Sequence, residues 1–138
     1  MPSITLRCHR IVKGSGEGEA LVSKDPICFY LADPKTGVVR ERGHSLTGKS
    51  VAGKVLIFPT GKASSAVQMD GLRKLMLNNA MPKAMVVTDV EPVLVSAAAL
   101  LKIPLVDKLE KDPFQVISTG DLVKVDATNA VVTIDKRE

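Results

Sequence analysis

The segment from residue 55 to residue 106 constrains the fold most, because short apolar runs alternate there with longer stretches of helical periodicity. Such a β-α-β-α-β order predicts strands that lie parallel in one sheet layer, joined by right-handed helical crossover connections. We therefore expect a parallel α/β layer in the second half of the chain. The three strand-length runs and the two helical stretches follow one another at 55–58, about 65–79, 84–87, about 91–100 and 104–106.

The two ends of the chain show strand patterns of a different kind. Residues 4–12 alternate apolar and polar side chains, which predicts a strand with one covered face. Segments 120–126 and 130–134 predict a hairpin that turns at residues 127–129. Together these patterns predict a β/β/α architecture: a largely antiparallel or barrel-like β layer built from both ends of the chain, beside a small parallel α/β layer.

The region between these parts is rich in turn-forming residues. The glycine-rich stretch 14–19 is expected to be a flexible turn, and residues 20–23 and 27–30 are expected to form two short strands. Residues 33–37 have proline and glycine where a tight turn requires them. We find no repeat, low-complexity segment or linker, so a single domain over residues 1–138 is expected.

The composition suits a protein that needs neither disulfides nor a metal of its own. Of the 138 residues, 45% are hydrophobic, which is enough for a proper core. The two cysteines, Cys8 and Cys28, and the two histidines are too few for a self-contained metal or iron-sulfur site. No secretory signal is found, and no apolar stretch approaches the roughly 20 residues of a membrane span. We therefore expect a cytoplasmic protein without a membrane partner.

The net charge of +4 raises the question of nucleic-acid binding. The lysines and arginines are spread along the whole chain, and the four aromatic residues are not interleaved with basic ones. A stacking platform for bases is therefore missing, and we expect no nucleic-acid partner. The excess charge is compatible with an anionic substrate or an acidic partner subunit.

The junction between the first apolar run and the first helical stretch is the strongest candidate site. Residues 58–65 pass from a strand through a glycine turn to a helix start that carries Ser64 and Ser65. Free backbone N–H groups, the positive end of the helix dipole and two hydroxyls meet there, a combination that binds anions and stabilises a developing alkoxide. Alternatively, Ser64 or Ser65 is simply the helix N-cap, a position that serine favours. The local sequence leaves both interpretations open.

A nucleotide-binding pattern is present without its structural context. Residues 43–50 match the phosphate-binding pattern G-x-x-x-x-G-K-[ST]. That loop works only between a buried strand and a helix, whose N-terminus completes the phosphate cradle. Here the charged residues 40–42 precede the pattern, and residues 51–54 lead directly into the strand-like run, which leaves no room for a helix. We therefore predict no nucleotide binding.

Several segments, in the same order along nearly the whole chain, resemble the small subunit, or swivel domain, of the aconitase X family. This order makes the resemblance far more specific than any single motif, and it assigns residues 48–50 of the nucleotide pattern to a family turn ahead of the core strand. The resemblance implies a swivelling β/β/α domain. The similar segments are 16–23, 33–37, 48–54, 59–65, 103–106 and 120–121.

The resemblance implies a hydro-lyase subunit that is inactive without a second chain. In this family a large subunit carries an iron-sulfur cluster, and the swivel domain closes the active site over a hydroxy-acid substrate. Ser64 matches the serine base of the wider aconitase superfamily, which removes the proton next to a carboxylate, and Ser65 matches a substrate-contacting neighbour. Lys62 is a candidate for supplying positive charge to the alkoxide and the substrate. We expect the cluster in the partner and no cofactor on this chain.

Two departures from the family pattern bear on the substrate. Ala63 replaces the second glycine of the family loop, and Ala66 replaces the arginine that anchors a carboxylate in aconitase, so a tricarboxylate is not expected. Residues 66–70 also differ from the archaeal phosphomevalonate enzymes, which favours a substrate like cis-3-hydroxyproline or an unknown hydroxy acid. The small subunit of a 5-phosphomevalonate dehydratase is the alternative, and a stand-alone anion-binding module without catalysis is the alternative from another class.

Overall fold

The computed structural model describes residues 3–137, which adopt a mixed α/β fold. The predicted domain limits at residues 1 and 138 lie outside this part. None of the helices in residues 3–137 combines the length and the apolar content that a membrane-spanning helix requires. In chain order, the elements of this part are β1 (Ser3–Arg7), β2 (His9–Val12), β3 (Ser15–Val22), a 3₁₀ helix (Phe29–Leu31), β4 (Val55–Phe58), α1 (Ser65–Leu77), β5 (Ala84–Val87), α2 (Pro92–Leu101), β6 (Leu105–Asp107), α3 (Pro113–Val116), β7 (Leu122–Asp126) and β8 (Val131–Asp135).

The strands form one sheet that closes into a barrel-like layer. Their order is β1-β8-β7-β3-β4-β5-β6-β2, in which β3 to β6 run parallel and the other neighbours are antiparallel. The start of β3 pairs with β7, whereas its last residues, Ala20 to Val22, pair with β4. Only Cys8 separates β1 from β2, so the chain itself joins the two ends of the strand order. The predicted β/β/α architecture is confirmed.

Strand β4 lies between two apolar cores. Val55 and Ile57 belong to the cluster formed by the inward-facing residues of the barrel strands. Leu56 and Phe58 belong to the second cluster, where α1 and α2 pack on the sheet. Because both faces of β4 are covered, its sequence is a continuous apolar run without alternation.

The prediction of a flexible turn at residues 14–19 is wrong for most of that stretch, because β3 begins at Ser15. The glycines allow close approach of neighbouring backbones. A Cβ on Gly16 would lie 2.2 Å from the carbonyl oxygen of Lys83, and a Cβ on Gly18 would lie 2.6 Å from that of Gly53. Glycine in this strand therefore allows close backbone approach. Because glycine is also common in turns, the sequence pattern led to the wrong prediction.

The prediction of a strand at residues 27–30 is also wrong. Ile27 makes a single parallel bridge to Gly61, and the chain then turns into the 3₁₀ helix Phe29–Leu31. The tight turn at 33–37 is confirmed, since the N–H of Gly37 donates to the carbonyl oxygen of Asp33 at 2.7 Å. Segment 27–31 is thus a bridge-and-turn connection that packs beside α1.

Asp121 is a buried carboxylate that fixes the end of the β7–β8 hairpin. It accepts hydrogen bonds from Lys136 Nζ at 2.6 Å and from the backbone N–H groups of Ser118 and Arg137 at 2.8 and 3.0 Å. Burial raises the pKa of this carboxyl, but the bonds from Lys136 and the two N–H groups outweigh burial and hold the pKa below its usual value.

We expect Asp121→Asn to lower the free energy of unfolding at neutral pH and to weaken the acid dependence of stability. Because the folded-state pKa is depressed, the stabilisation is fully present above the unfolded-state pKa of about 3.9 and is lost as the pH falls through the folded-state value. Urea unfolding of both proteins at stepwise lower pH checks this, and the two stabilities are expected to converge in acid. A difference that is independent of pH would contradict the assignment.

Candidate active site

The loop at residues 59–64 lies at the carboxyl ends of the parallel strands. It connects β4 to α1, and the neighbouring loop at 88–91 connects β5 to α2, so both helices begin at the same edge of the sheet. The two loops are joined by hydrogen bonds, because the N–H groups of Thr88 and Asp89 donate to the carbonyl oxygen of Pro59 at 3.2 and 3.0 Å. This edge is where ligands bind in parallel α/β sheets.

Ser64 occupies the N-cap position of α1 but does not cap the helix with its side chain. Its backbone is extended (φ −72°, ψ 163°), and its carbonyl oxygen accepts the first helical hydrogen bond, from the N–H of Gln68 at 3.0 Å. The side chain accepts no N–H of the helix and is exposed. The simple capping interpretation therefore leaves the Ser64 hydroxyl unexplained.

Ser65 and the first turn of α1 complete this polar surface. Ser65 is the first helical residue, and both it and Ala66 are exposed. The backbone N–H groups of Ser65, Ala66 and Val67 form no hydrogen bond with an acceptor in residues 3–137. An exposed serine pair thus lies beside free N–H donors at the positive end of a 13-residue helix, as the sequence predicted.

Lys62 is held by an acidic residue that the sequence interpretation did not select. Its ammonium group forms an ion pair with Glu41, and its side chain remains 44% exposed. Its backbone N–H donates to the carbonyl oxygen of Ile27 at 3.1 Å, which fixes the main chain two residues before Ser64. The main chain at Lys62 is therefore fixed close to the serine pair, whereas contact of its side chain with a substrate stays a prediction.

Ala63 adopts a backbone conformation that residues with side chains rarely take. Its φ is +154°, in a region that favours glycine. The resemblance implies a glycine at this position, whereas this chain places an alanine in the glycine-type conformation. The substitution therefore introduces backbone strain directly before Ser64.

Ala63→Gly is expected to raise the free energy of unfolding by about 1 kcal/mol, because relief of about 1–3 kcal/mol of strain exceeds the entropic cost of about 0.4–1 kcal/mol that glycine introduces. Ala66→Gly is the matched control, since it lies within regular helix and is expected to lower stability by up to about 1 kcal/mol. Urea unfolding measures both. A loss of stability in Ala63→Gly would show that the conformation is not strained.

Gly61 is packed against two polar side chains that were not among the predicted site residues. A Cβ at this position would lie 2.8 Å from Glu91 Oε1 and 2.9 Å from Gln68 Nε2. The carboxylate of Glu91 is the N-cap of α2 and accepts two backbone N–H groups of its first turn at 2.9 and 2.8 Å. An acidic residue directly before Pro92 was the available signal, because proline favours the first position of a helix.

Residues 43–50 do not form a phosphate cradle. No helix follows them before β4 within the described chain, which confirms that the nucleotide pattern lacks its context. All backbone N–H groups from His44 to Lys49 are also bonded inside the protein, so none is free to bind phosphate. Their acceptors, in order, are Thr47 Oγ1, Asp25 Oδ2, His44 Nδ1 and the carbonyl oxygens of His44, Val39 and Leu46.

The described residues do not fit an iron-sulfur cluster. Burial and the nearby carboxylates of Asp107 and Asp126 raise the pKa of the Cys8 thiol to about 11, which disfavours the thiolate that a metal requires. Cys28 directly precedes the 3₁₀ helix. Within residues 3–137, no three His, Cys, Asp or Glu side chains lie close enough together to hold a metal ion.

Comparison with known proteins identifies the family. A family model described as the aconitase X swivel domain matches residues 5–134. The chain belongs to the aconitase X swivel-domain family. The match spans the barrel, both helices that begin at the candidate site and the loop with Ser64, so the resemblance drawn from separate segments is confirmed along the chain.

Relatives and a solved structure of this swivel-domain family agree over almost the full length. The chain is 43% identical to the phosphomevalonate dehydratase small subunit of Methanococcoides burtonii, covering 99% of this chain and all of that protein. It is 45% identical to the same subunit of Methanocella arvoryzae, covering 94% and 98%. The holo-form crystal structure of Thermococcus kodakaraensis aconitase X superposes with a TM-score of 0.86 at 36% identity, covering 96% and 99%.

These comparisons confirm the expectation of a dehydratase subunit, because the relatives carry the name of one. They favour the phosphomevalonate alternative over a substrate like cis-3-hydroxyproline. The differences at residues 66–70, which pointed toward the latter, therefore do not discriminate between the two. The roles of Ser64, Ser65 and Lys62 remain predictions.

Proposed function

We propose that this chain is the small subunit of a phosphomevalonate dehydratase and that Ser64 removes the proton next to the substrate carboxylate. The observation that carries this proposal is the position of the Ser64 hydroxyl. It stands at the N-terminus of α1, exposed and unused by the helix, at the carboxyl edge of the parallel strands. In a serine kept only as a cap, the side-chain oxygen would accept a hydrogen bond from an N–H group of the first helical turn.

The surroundings of Ser64 address the weakness of serine as a base. A serine side chain accepts a proton effectively only when its hydroxyl is ionised to an alkoxide. Fixed positive charge or dipoles must stabilise that alkoxide. The free N–H groups of the first turn and the helix dipole supply these next to the hydroxyl. Lys62 adds a cation, and its ion pair with Glu41 is exposed enough to be exchanged for an anionic substrate.

The substrate assignment is supported by the names of the relatives and by Ala66. The relatives from Methanococcoides burtonii and Methanocella arvoryzae are phosphomevalonate dehydratase small subunits. Alanine at position 66 has no guanidinium group with which to bind an additional carboxylate in a bidentate fashion. We therefore propose dehydration of 5-phosphomevalonate and no isomerisation of citrate.

A partner is required because dehydration has two halves. Proton removal is assigned to this chain, whereas departure of the hydroxyl needs assistance for which residues 3–137 offer no metal-ligand group. We propose that a large aconitase X subunit carries the iron-sulfur cluster and covers the edge with Ser64. The relatives' designation as small subunits supports such a pairing.

The test is co-expression of this chain with the large aconitase X subunit from the same genome, under anaerobic conditions. The purified complex is incubated separately with 5-phosphomevalonate, cis-3-hydroxyproline and citrate, and products are identified by mass spectrometry. Loss of one water from 5-phosphomevalonate alone is the expected result. Turnover of cis-3-hydroxyproline alone would overturn the substrate assignment, and a monomer that binds phosphate but never associates with the large subunit would favour the anion-binding module.

A further inference from the structure

Gln68 is a buried amide in a helix face that is otherwise apolar. It has no exposed surface and lies four residues after Ser64, among the residues by which α1 packs on the sheet. Its Oε1 accepts the backbone N–H of Phe29 at 2.8 Å, and its Nε2 donates to the carbonyl oxygen of Ile27 at 3.1 Å. Both partners are main-chain groups, so the amide fastens a stretch of backbone to α1.

That stretch of backbone is bonded to the loop that carries Ser64. The N–H of Ile27 donates to the carbonyl oxygen of Thr60 at 3.1 Å, and the carbonyl oxygen of Ile27 also accepts the N–H of Lys62 at 3.1 Å. Ile27 thus forms a one-residue parallel bridge around Gly61. The carbonyl oxygen of Ile27 accepts hydrogen bonds from the backbone N–H of Lys62 and from the Gln68 amide, so this one atom links the loop to α1.

The loop also rests directly on the amide. A Cβ on Gly61 would come within 2.9 Å of Gln68 Nε2, so a larger residue at this position would have to displace the amide. After the serine, the backbone N–H of Gln68 donates to the carbonyl oxygen of Ser64 at 3.0 Å. Gln68 is therefore bonded directly to Ser64 through its backbone N–H, and it reaches the loop before Ser64 through the carbonyl oxygen of Ile27 and the contact with Gly61.

We propose that Gln68 is a positioning residue, which sets the orientation of the Ser64 hydroxyl by clamping the loop through Ile27. Its effect on catalysis rests on the proposed function, whereas the clamp itself does not. An apolar side chain of similar size would leave the N–H of Phe29 without its acceptor and would release the carbonyl oxygen of Ile27 from α1. The loop before Ser64 would then be free to shift relative to the helix.

The clamp is tested by amide hydrogen exchange on the intact chain, in which Gln68→Met is compared with the control Gln115→Met. Gln115 is the other glutamine of the chain and lies exposed on α3. In Gln68→Met, the amides of Ile27, Phe29 and Lys62 are expected to exchange about tenfold faster, as for loss of one hydrogen bond. The amide of Leu75, inside α1, is expected to keep its protection in both variants. Unchanged exchange at all three loop amides would overturn the clamp.

Gln68→Glu provides a second variant if the methionine variant fails to fold. At a pH high enough to ionise the introduced carboxyl, it keeps an acceptor for the N–H of Phe29 but has no hydrogen to donate to the carbonyl oxygen of Ile27. Exchange is then expected to rise at Ile27 and Lys62 and to stay slow at Phe29. Equal acceleration at all three amides would contradict the assigned bonding.

The positioning role is tested in the assembled enzyme with 5-phosphomevalonate. Gln68→Met is expected to lower kcat by about 10²-fold, the effect of a small misplacement of a reacting group, with little change in KM. In a Ser64→Ala background the same change is expected to cause no further loss, because the group that Gln68 positions is already absent. Additive losses would assign Gln68 a general structural role. If no dehydratase activity exists at all, the proposed function fails, while the exchange experiment still decides the clamp.

Discussion

Replacing Ser64 by alanine is expected to reduce the kcat of the assembled enzyme by about 10²–10⁴-fold, the loss typical of removing a general base. The melting temperature is expected to stay nearly unchanged, because the hydroxyl makes no capping bond and the usual cap contribution of about 1 kcal/mol is not lost. Steady-state kinetics with 5-phosphomevalonate and calorimetry on the same preparations measure the two effects.

Ser65→Ala is the matched control, since its hydroxyl is exposed one residue further on. A substrate-contacting Ser65 predicts mainly a higher KM with kcat largely retained. If both substitutions give mild and equal effects, the base assignment is wrong. If Ser64→Ala instead lowers stability and leaves turnover intact, Ser64 has only a structural role.

Gly71→Ala is expected to destabilise the fold by about 2–3 kcal/mol, the cost of overpacking a tight contact. The added Cβ would lie 2.3 Å from the backbone nitrogen of Tyr30 and 2.6 Å from the carbonyl carbon of Phe29. These are main-chain atoms of the 3₁₀ helix, so the clash is relieved only if α1 and the 3₁₀ helix separate. The usual gain of about 1 kcal/mol for alanine over glycine in a helix is therefore reversed.

Urea unfolding of Gly71→Ala beside Arg73→Ala, an exposed position of the same helix, checks this expectation. Arg73→Ala is expected to change stability by less than about 0.5 kcal/mol, as is usual for a surface position. A gain of stability in Gly71→Ala would show that the close contact between α1 and the 3₁₀ helix does not exist in solution.

Much of the fold was predictable because its parallel strands are covered on both faces. Burial of β4 and β5 produces continuous apolar runs, which stand out in the sequence, and proline or serine marks the starts of the helices between them. The start of β3 was missed for the opposite reason. Gly16 and Gly18 allow neighbouring backbones to approach closely, and nothing in the local sequence distinguishes glycines of this kind from glycines in a turn.

The candidate site was predictable only in part. The strand, loop and helix around Ser64 are contiguous in the chain, so local patterns placed them correctly. Glu41 and Glu91 come to the loop through tertiary contacts over long sequence distances, and Gln68 is linked to the loop through the distant residue Ile27. The residue types alone give no sign of these contacts. The unfilled cap of Ser64 is a matter of side-chain geometry, which the sequence does not contain.

We propose that this chain supplies the proton-accepting half of a two-subunit dehydratase. Its most direct test is reconstitution: the large subunit is titrated with this chain or with Ser64→Ala, and the water lost from 5-phosphomevalonate is followed in a single turnover. Both chains are expected to bind the large subunit with the same affinity, and only the unaltered chain is expected to restore dehydration. Dehydration at the full rate by the large subunit alone, or with Ser64→Ala, would rule out this role for Ser64.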